Sequence, residues 1–269
     1  MLKPNRTIVL LLACAAILPA AGCARNKAKG DTAYVARDVN SLYSAAKRSM
    51  DVGDYLQAAK LFDEVERQHP YSVWARRAQI MSAFNYYLAK KYPDAVSSAN
   101  RFLTIHPGNA EAPYAHYLVA MSYYQQIADV TRDQAVTQQA SDAFGELIRR
   151  YPDSRYAADA RLKLDLINDH LAGKEMEIGR FYERSANWLA ASLRFRTVVD
   201  QYQTTSHTPE ALERLVECYL ALGIPDEAEK AAAVLGRNYK GTYWYKQAYK
   251  LMGKAPRPRE AAASTKPQG

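Results

Sequence analysis

Apolar spacing from Ala58 to Pro70, AAKLFDEVERQHP, outlines a buried helix face with a sharp exit: Ala58, Phe62 four residues on, then a proline at the twelfth. The same offsets return from Ala95 to Pro107, ending FLTIHP, and from Ala140 to Pro152, which carries Phe144 and ends RRYP. Three copies of one spacing make a repeat, and stacked repeats share a continuous core.

Around these copies the periodicity predicts antiparallel helix pairs joined by short turns. Val39 to Met50 supplies Leu42, Ala45, Ala46 and Met50; after a break at Gly53-Asp54, Tyr55 to Gln68 turns Ala58, Phe62 and Val65 inward. The second pair is Val73 to Ala89 with Pro93 to Ile105, where Pro93 suits a first turn and Asp94 complements the helix dipole. The third starts near Ala112 and contains Ala140, Phe144, Leu147 and Ile148; its interval from Ala120 to Ala140 is eight residues longer than Ala46 to Ala58, an insertion at a turn. In the fourth, Ala157 to His170 and Lys174 to Ala186 each read as a helix ahead of Trp188 to Tyr202, with the register left open. Thr208 to Leu222 and Pro225 to Tyr239 form the last clear pair, Tyr243 to Met252 extends or caps the array, and 253–269 reads as a flexible basic tail. The fold class is all-α, a solenoid of roughly five helix pairs that resembles tetratricopeptide repeats of about 34 residues.

The first residues address a compartment. Lys3 and Arg6 precede an apolar run from Ile8 to Leu18, and Pro19-Ala20-Ala21-Gly22-Cys23 follows, so 1–22 reads as an export signal too short to span a membrane comfortably. Gly22-Cys23 resembles the end of a bacterial lipobox, which implies a diacylglycerol on the Cys23 thiol and an N-acyl chain; Ala24 after it resembles an outer-membrane destination. The lipid would anchor the chain without a protein span. Residues 23–31 are then a tether, 32–160 the N-terminal repeats and 161–252 the C-terminal repeats.

Charge narrows the partners only slightly. A net charge of +8 suits nucleic acid, anionic lipid or an acidic protein. Nucleic acid is disfavoured because the basic residues are spread over repeated helices and export leads away from it. Chemistry is sparse too: His69 and His106 precede helix-ending prolines, His116, His170 and His207 lack metal-ligand spacing, and Cys218 in LVECYLAL reads as apolar packing. No phosphate loop or zinc set is present, so an enzyme, metal or other cofactor is not expected.

The lipobox, QHPYS, FNYYLAKKYPDAVSSANRFLTIHPGN, YAHYLVAMSYYQ and RRYPDSRYAADA together resemble the BamD family of outer-membrane assembly lipoproteins over most of 23–250, most specifically over Tyr71 to Ala160. The resemblance implies a non-enzymatic scaffold for assembling and inserting outer-membrane β-barrels. It implies a groove for unfolded barrel substrates in the N-terminal repeats, with candidates Tyr55, Tyr71, Asn85, Tyr86, Tyr87, Arg101, Tyr114, Tyr117, Tyr123 and Tyr124. It also implies that the C-terminal repeats meet the periplasmic domains of a BamA-type barrel-forming subunit through Arg184, Arg194, Arg196 and Glu213, beside accessory lipoproteins of the same machine. Tyrosine suits such work because its ring packs on apolar side chains while its hydroxyl reaches backbone. Another envelope scaffold, in cell-wall or division processes, is the alternative.

Overall fold

The computed structural model describes residues 37–254. Cys23, the expected signal segment and tether, and residues 255–269 lie outside the described residues. Among the described residues eleven helices follow one another: α1 Val39–Asp51, α2 Tyr55–Gln68, α3 Val73–Leu88, α4 Tyr92–Ile105, α5 Ala112–Tyr124, α6 Ala135–Arg150, α7 Ala157–Arg184, α8 Trp188–Gln201, α9 Thr208–Ala221, α10 Pro225–Asn238 and α11 Tyr243–Lys254. Each packs on the next, and first helices of neighbouring pairs also touch: α1 on α3, α3 on α5, and α9 on α11. The result is an all-α solenoid of tetratricopeptide type, five helix pairs followed by α11.

One seam builds the core. Ala58, Ala95, Ala140, Ala191 and Ala228 of the second helices are fully buried, and so are Phe62, Ala99, Phe144 and Phe195, each four residues after one of the first four. Opposite them the first helices place Ala46, Ala83, Ala120, Gly179 and Val216, also buried, so that backbones approach and aromatic rings fill the gaps. Between pairs one exit recurs. His69, His106, Tyr151, Tyr202 and Tyr239 cap their helices with φ from −127° to −134°, and each carbonyl accepts from the N–H three residues on. Pro70, Pro107 and Pro152 follow three of them and exclude the helical conformation at the cap; Gln203 and Lys240 occupy that place in the others.

In the four pairs with a short turn, one residue of that turn lies in the left-handed region. Gly53, Lys90, Ala186 and Gly223 supply it, with φ of 83°, 58°, 56° and 73°. Two copies therefore carry a Cβ where glycine is preferred. Ala186→Gly and Lys90→Gly are each expected to raise unfolding free energy by about 0.5–1 kcal/mol, after discounting the looser unfolded chain. Urea midpoints of the two variants check this.

The fourth pair corrects the sequence reading. Ala157 to His170 and Lys174 to Ala186 are one helix, α7, of 28 residues. Leu171 and Ala172 are buried and continue the stripe through the expected break. Gly173 within it leaves room for a close neighbour: a Cβ there would lie 3.2 Å from His207 Nε2 and in ordinary contact, at 3.8 Å, with Val130 of the inserted α5–α6 loop. That loop is tied down by Lys174 Nζ, which donates to the Thr131 carbonyl at 3.2 Å. The expected division between residues 160 and 161 falls within α7. α11 also runs to Lys254, two residues into the segment expected as tail.

Candidate functional site

First helices carry an aromatic row across three pairs. Phe84 of α3 meets Tyr114 of α5 at 6.4 Å between centroids, and Tyr156, the N-cap of α7, stacks on both Tyr114 and Tyr117 at 5.4 and 5.1 Å. The Tyr117 hydroxyl donates to Asp159 Oδ2 at 2.7 Å, and Gln125 Nε2 donates to the Tyr87 hydroxyl at 3.3 Å. Burial pushes the phenol pKa of Tyr114 and Tyr117 upward, helped at Tyr117 by Asp159, so both hydroxyls stay protonated. Beside the row lies a cavity of about 330 Å³ lined by Arg76, Arg77, Ile80, Met81, Phe102 and Tyr114. Such a surface offers ring faces, neutral hydroxyls and two guanidinium groups to an extended peptide.

Other N-terminal candidates have structural ties. Asp63 on α2 accepts from Ser82 Oγ at 2.6 Å, from the Tyr86 hydroxyl at 2.7 Å and from Arg101 at 3.3 Å; Arg101 also reaches Glu66 at 3.0 Å. Tyr86 and Arg101 thus lock α2, α3 and α4 together. Asp63→Ala is expected to cost about 2 kcal/mol because three donors lose a charged acceptor, read as a lower urea midpoint. Asn85 must be corrected: it is fully buried, its Nδ2 donating to the Met81 carbonyl at 2.8 Å, so it does not reach a groove surface. Tyr124 packs edge-on against Phe144 and lies under Lys163, while Tyr123 is partly buried between two clusters. Tyr55 is half-buried at the start of α2, and Tyr71 is fully exposed on the α2–α3 turn.

In the C-terminal pairs the charged candidates separate. Arg184 is exposed, with Glu177 at 3.9 Å; Arg194 pairs with Glu175 at 3.2 Å; Arg196 stacks 5.7 Å over Tyr219 and donates to its hydroxyl. Glu213 is the second correction. Its side chain is 6% exposed because it lies on the face of α9 that meets other helices, with Arg214 at 3.8 Å. Arg214 also faces Glu183, Glu210 and Glu217 at 3.5, 3.7 and 3.2 Å, under Trp244 at 5.8 Å. Arg180 grips Glu210 through two bonds of 2.9 and 2.8 Å. This ionic cluster joins α7, α9 and α11.

Sequence reasoning missed an apolar surface next to these arginines on the same helices. Phe181, Leu189 and Leu193 are 58%, 62% and 57% exposed. Leu193 occupies the repeat position held elsewhere by Lys60, Ser97, Asp142 and Lys230, and that contrast was the available signal. It also missed Phe84, Tyr156, Arg76 and Arg77, for which adjacency in space is the signal. Cys218 is buried, its thiol pushed up to about 12 chiefly by burial with Glu183 next, so the nucleophilic thiolate is suppressed. Among the described residues no cluster of His, Cys, Asp and Glu can hold a metal ion, and no helix is long and apolar enough to cross a membrane.

Comparison with known proteins bears on the whole array. The YfiO family, described as an outer membrane lipoprotein, matches residues 35–235. "Outer membrane protein assembly factor BamD" of Caulobacter vibrioides is 48% identical over 93% of this chain and 81% of its own length. The protein of the same description from Rickettsia prowazekii is 43% identical over 93% of this chain and 98% of its own. Among solved structures, the P58(IPK) TPR domain aligns with 80% of this chain and 56% of that one at 16% identity and a TM-score of 0.42, which carries no weight for the surfaces above. Matched at 48% and 43% identity over 93% of its length by the two assembly factors, the chain belongs to the BamD family of outer-membrane lipoproteins.

Proposed function

We propose that this chain is a lipid-anchored scaffold for outer-membrane protein assembly, holding unfolded barrel chains on its N-terminal first helices and the assembly machine on its C-terminal pairs. The observation that carries this reading is the row of Phe84, Tyr87, Tyr114, Tyr117 and Tyr156 beside the Arg76–Arg77 cavity. Aromatic faces accept the alternating apolar side chains of a nascent strand, and the hydroxyls of Tyr87, Tyr114 and Tyr156, unlike that of Tyr117, which is held by Asp159, donate to its free carbonyls. Such binding is reversible and sequence-tolerant, as a carrier of many substrates requires. Tyr86 and Arg101 brace α2, α3 and α4 through Asp63, Tyr123 and Tyr124 pack against buried clusters, and half-buried Tyr55 and exposed Tyr71 complete the candidate set.

On the other half, α7 and α8 carry Arg184, Arg194 and Arg196 together with the exposed Phe181, Leu189 and Leu193, a mix of apolar and basic side chains of the kind that partner domains cover. The BamA-type subunit, through its periplasmic domains, is the proposed occupant, with accessory lipoproteins beside it. Cys23 carries the lipid and places the array on the periplasmic side of the outer membrane.

Photo-crosslinkers at Tyr87, Tyr117 and Arg196 in intact envelopes test the division. Unfolded barrel substrate is expected at the first two positions and the barrel-forming subunit at the third. Capture of cell-wall enzymes at all three would select the alternative scaffold. Mass analysis showing an unmodified mature N-terminus would sink the anchor at Cys23.

A further inference from the structure

α11 repeats the features of a first helix. Thr242 turns the chain as Ser72, Asn109 and Thr205 do, and eleven residues beyond these four lie Gly253, Ala83, Ala120 and Val216. In the complete pairs this position and the one four residues before it face the pair's own second helix. Gly179 sits against the ring of Phe195, Glu175 bonds Arg194 at 3.2 Å, and His116 lies 5.5 Å from Tyr151. Among the described residues no second helix covers their counterparts on α11: nothing lies within 4 Å of a Cβ placed on Gly253, and Tyr249 is 72% exposed. A groove of about 530 Å³ runs along the preceding turns of α11, lined by Tyr243, Tyr245, Lys246, Gln247, Tyr249 and Lys250.

We propose that α11 is the first half of an unfinished sixth helix pair, completed by a helix of another protein that sets a large apolar side chain over Gly253 and acidic residues against Lys246 and Lys250. Charge selects this occupant. α11 has no acidic residue, so a second copy would set lysines against lysines. The chain's own segment after Lys254 begins APRPRE, with Arg257 and Arg259 against Glu260; it is basic like the groove, and Pro256 and Pro258 disfavour a helix there. An acidic helix satisfies both the seat and its rim.

The test is a photo-crosslinker at Tyr249 in the full-length protein in intact envelopes, with the linked peptide mapped by mass spectrometry. The expected product is an acid-bearing helical segment of another chain, its yield reduced roughly tenfold or more by Lys246→Glu with Lys250→Glu. Gly253→Leu, which fills the seat and keeps the charges, should reduce it too. Unchanged melting of both variants confirms that the fold survives. A link only to residues 255–269, only to a second copy, to a basic segment, or to nothing overturns the proposal, as does a yield indifferent to charge reversal.

Discussion

Gly179→Ala is expected to lower the unfolding free energy by about 2–3 kcal/mol, although alanine favours a helix over glycine by about 1 kcal/mol. The added Cβ would lie 2.5, 2.8 and 2.9 Å from three ring carbons of Phe195. That ring cannot yield easily, because Phe195 is fully buried in a cluster with Met176, Ala191, Val198 and Leu215. Overpacking of this kind forces ring or backbone to move, and the backbone here joins α7 to α8. Urea unfolding should show a lower midpoint at unchanged slope. Phe195→Leu in the same chain should recover part of the loss, making the double variant less damaged than the two singles added together. Strict additivity would show that the ring is not the constraint. Because Arg184, Arg194, Leu189 and Leu193 flank this contact on α7 and α8, weaker capture of the assembly partner should accompany the lost stability.

Why Phe62, Phe144 and Ala140 could be read as core and α7 could not be read whole is a matter of range. Burial at three- and four-residue spacing is a local pattern, and Pro70, Pro107 and Pro152 punctuate it, so pairs one to three stand out from residues alone. At Leu171-Ala172-Gly173-Lys174 there is no proline, and glycine is compatible with either a break or a crowded continuous helix. Burial of Leu171 and Ala172 carries the helix through, and His207, distant in sequence, crowds the glycine. The tyrosines show the same limit. The family resemblance pointed to Tyr86, Tyr87, Tyr114 and Tyr117 together, yet Asp63 claims the Tyr86 hydroxyl, and Tyr156 joins the row only because α7 brings it over α5. Glu213 looked like a surface charge for a related reason: helix periodicity cannot say which neighbour covers a face at the edge of the apolar stripe.

That buried acid sets the other large effect. Arg214→Leu is expected to cost about 3–5 kcal/mol at pH 8, since it strips the shared cation from buried carboxylates, and distinctly less at pH 5. Burial is the largest cause raising the carboxyl pKa of Glu183 and of Glu213 to about 7; Glu217 adds to it at both and Arg214 opposes it. Between about pH 4.5 and 7 the folded chain therefore keeps protons that unfolded glutamates release. The unfolded state binds fewer protons in that window, so the contribution to stability is full below it and is lost as pH rises through about 7. For the unmodified chain the loss is on the order of 3 kcal/mol, less than two independent shifts because the groups share one field. Urea unfolding from pH 5 to 8 should show the midpoint falling. Glu213→Gln should flatten the profile, and adding it to Arg214→Leu should restore stability mainly at the alkaline end. A wild-type profile flat across this range would refute the account. Since the cluster spans α7, α9 and Trp244 of α11, amide exchange should rise with pH in these helices sooner than in α1 to α4. The C-terminal pairs are thus held together by an acid-rich seam that is firmest when at least one of its protons stays bound.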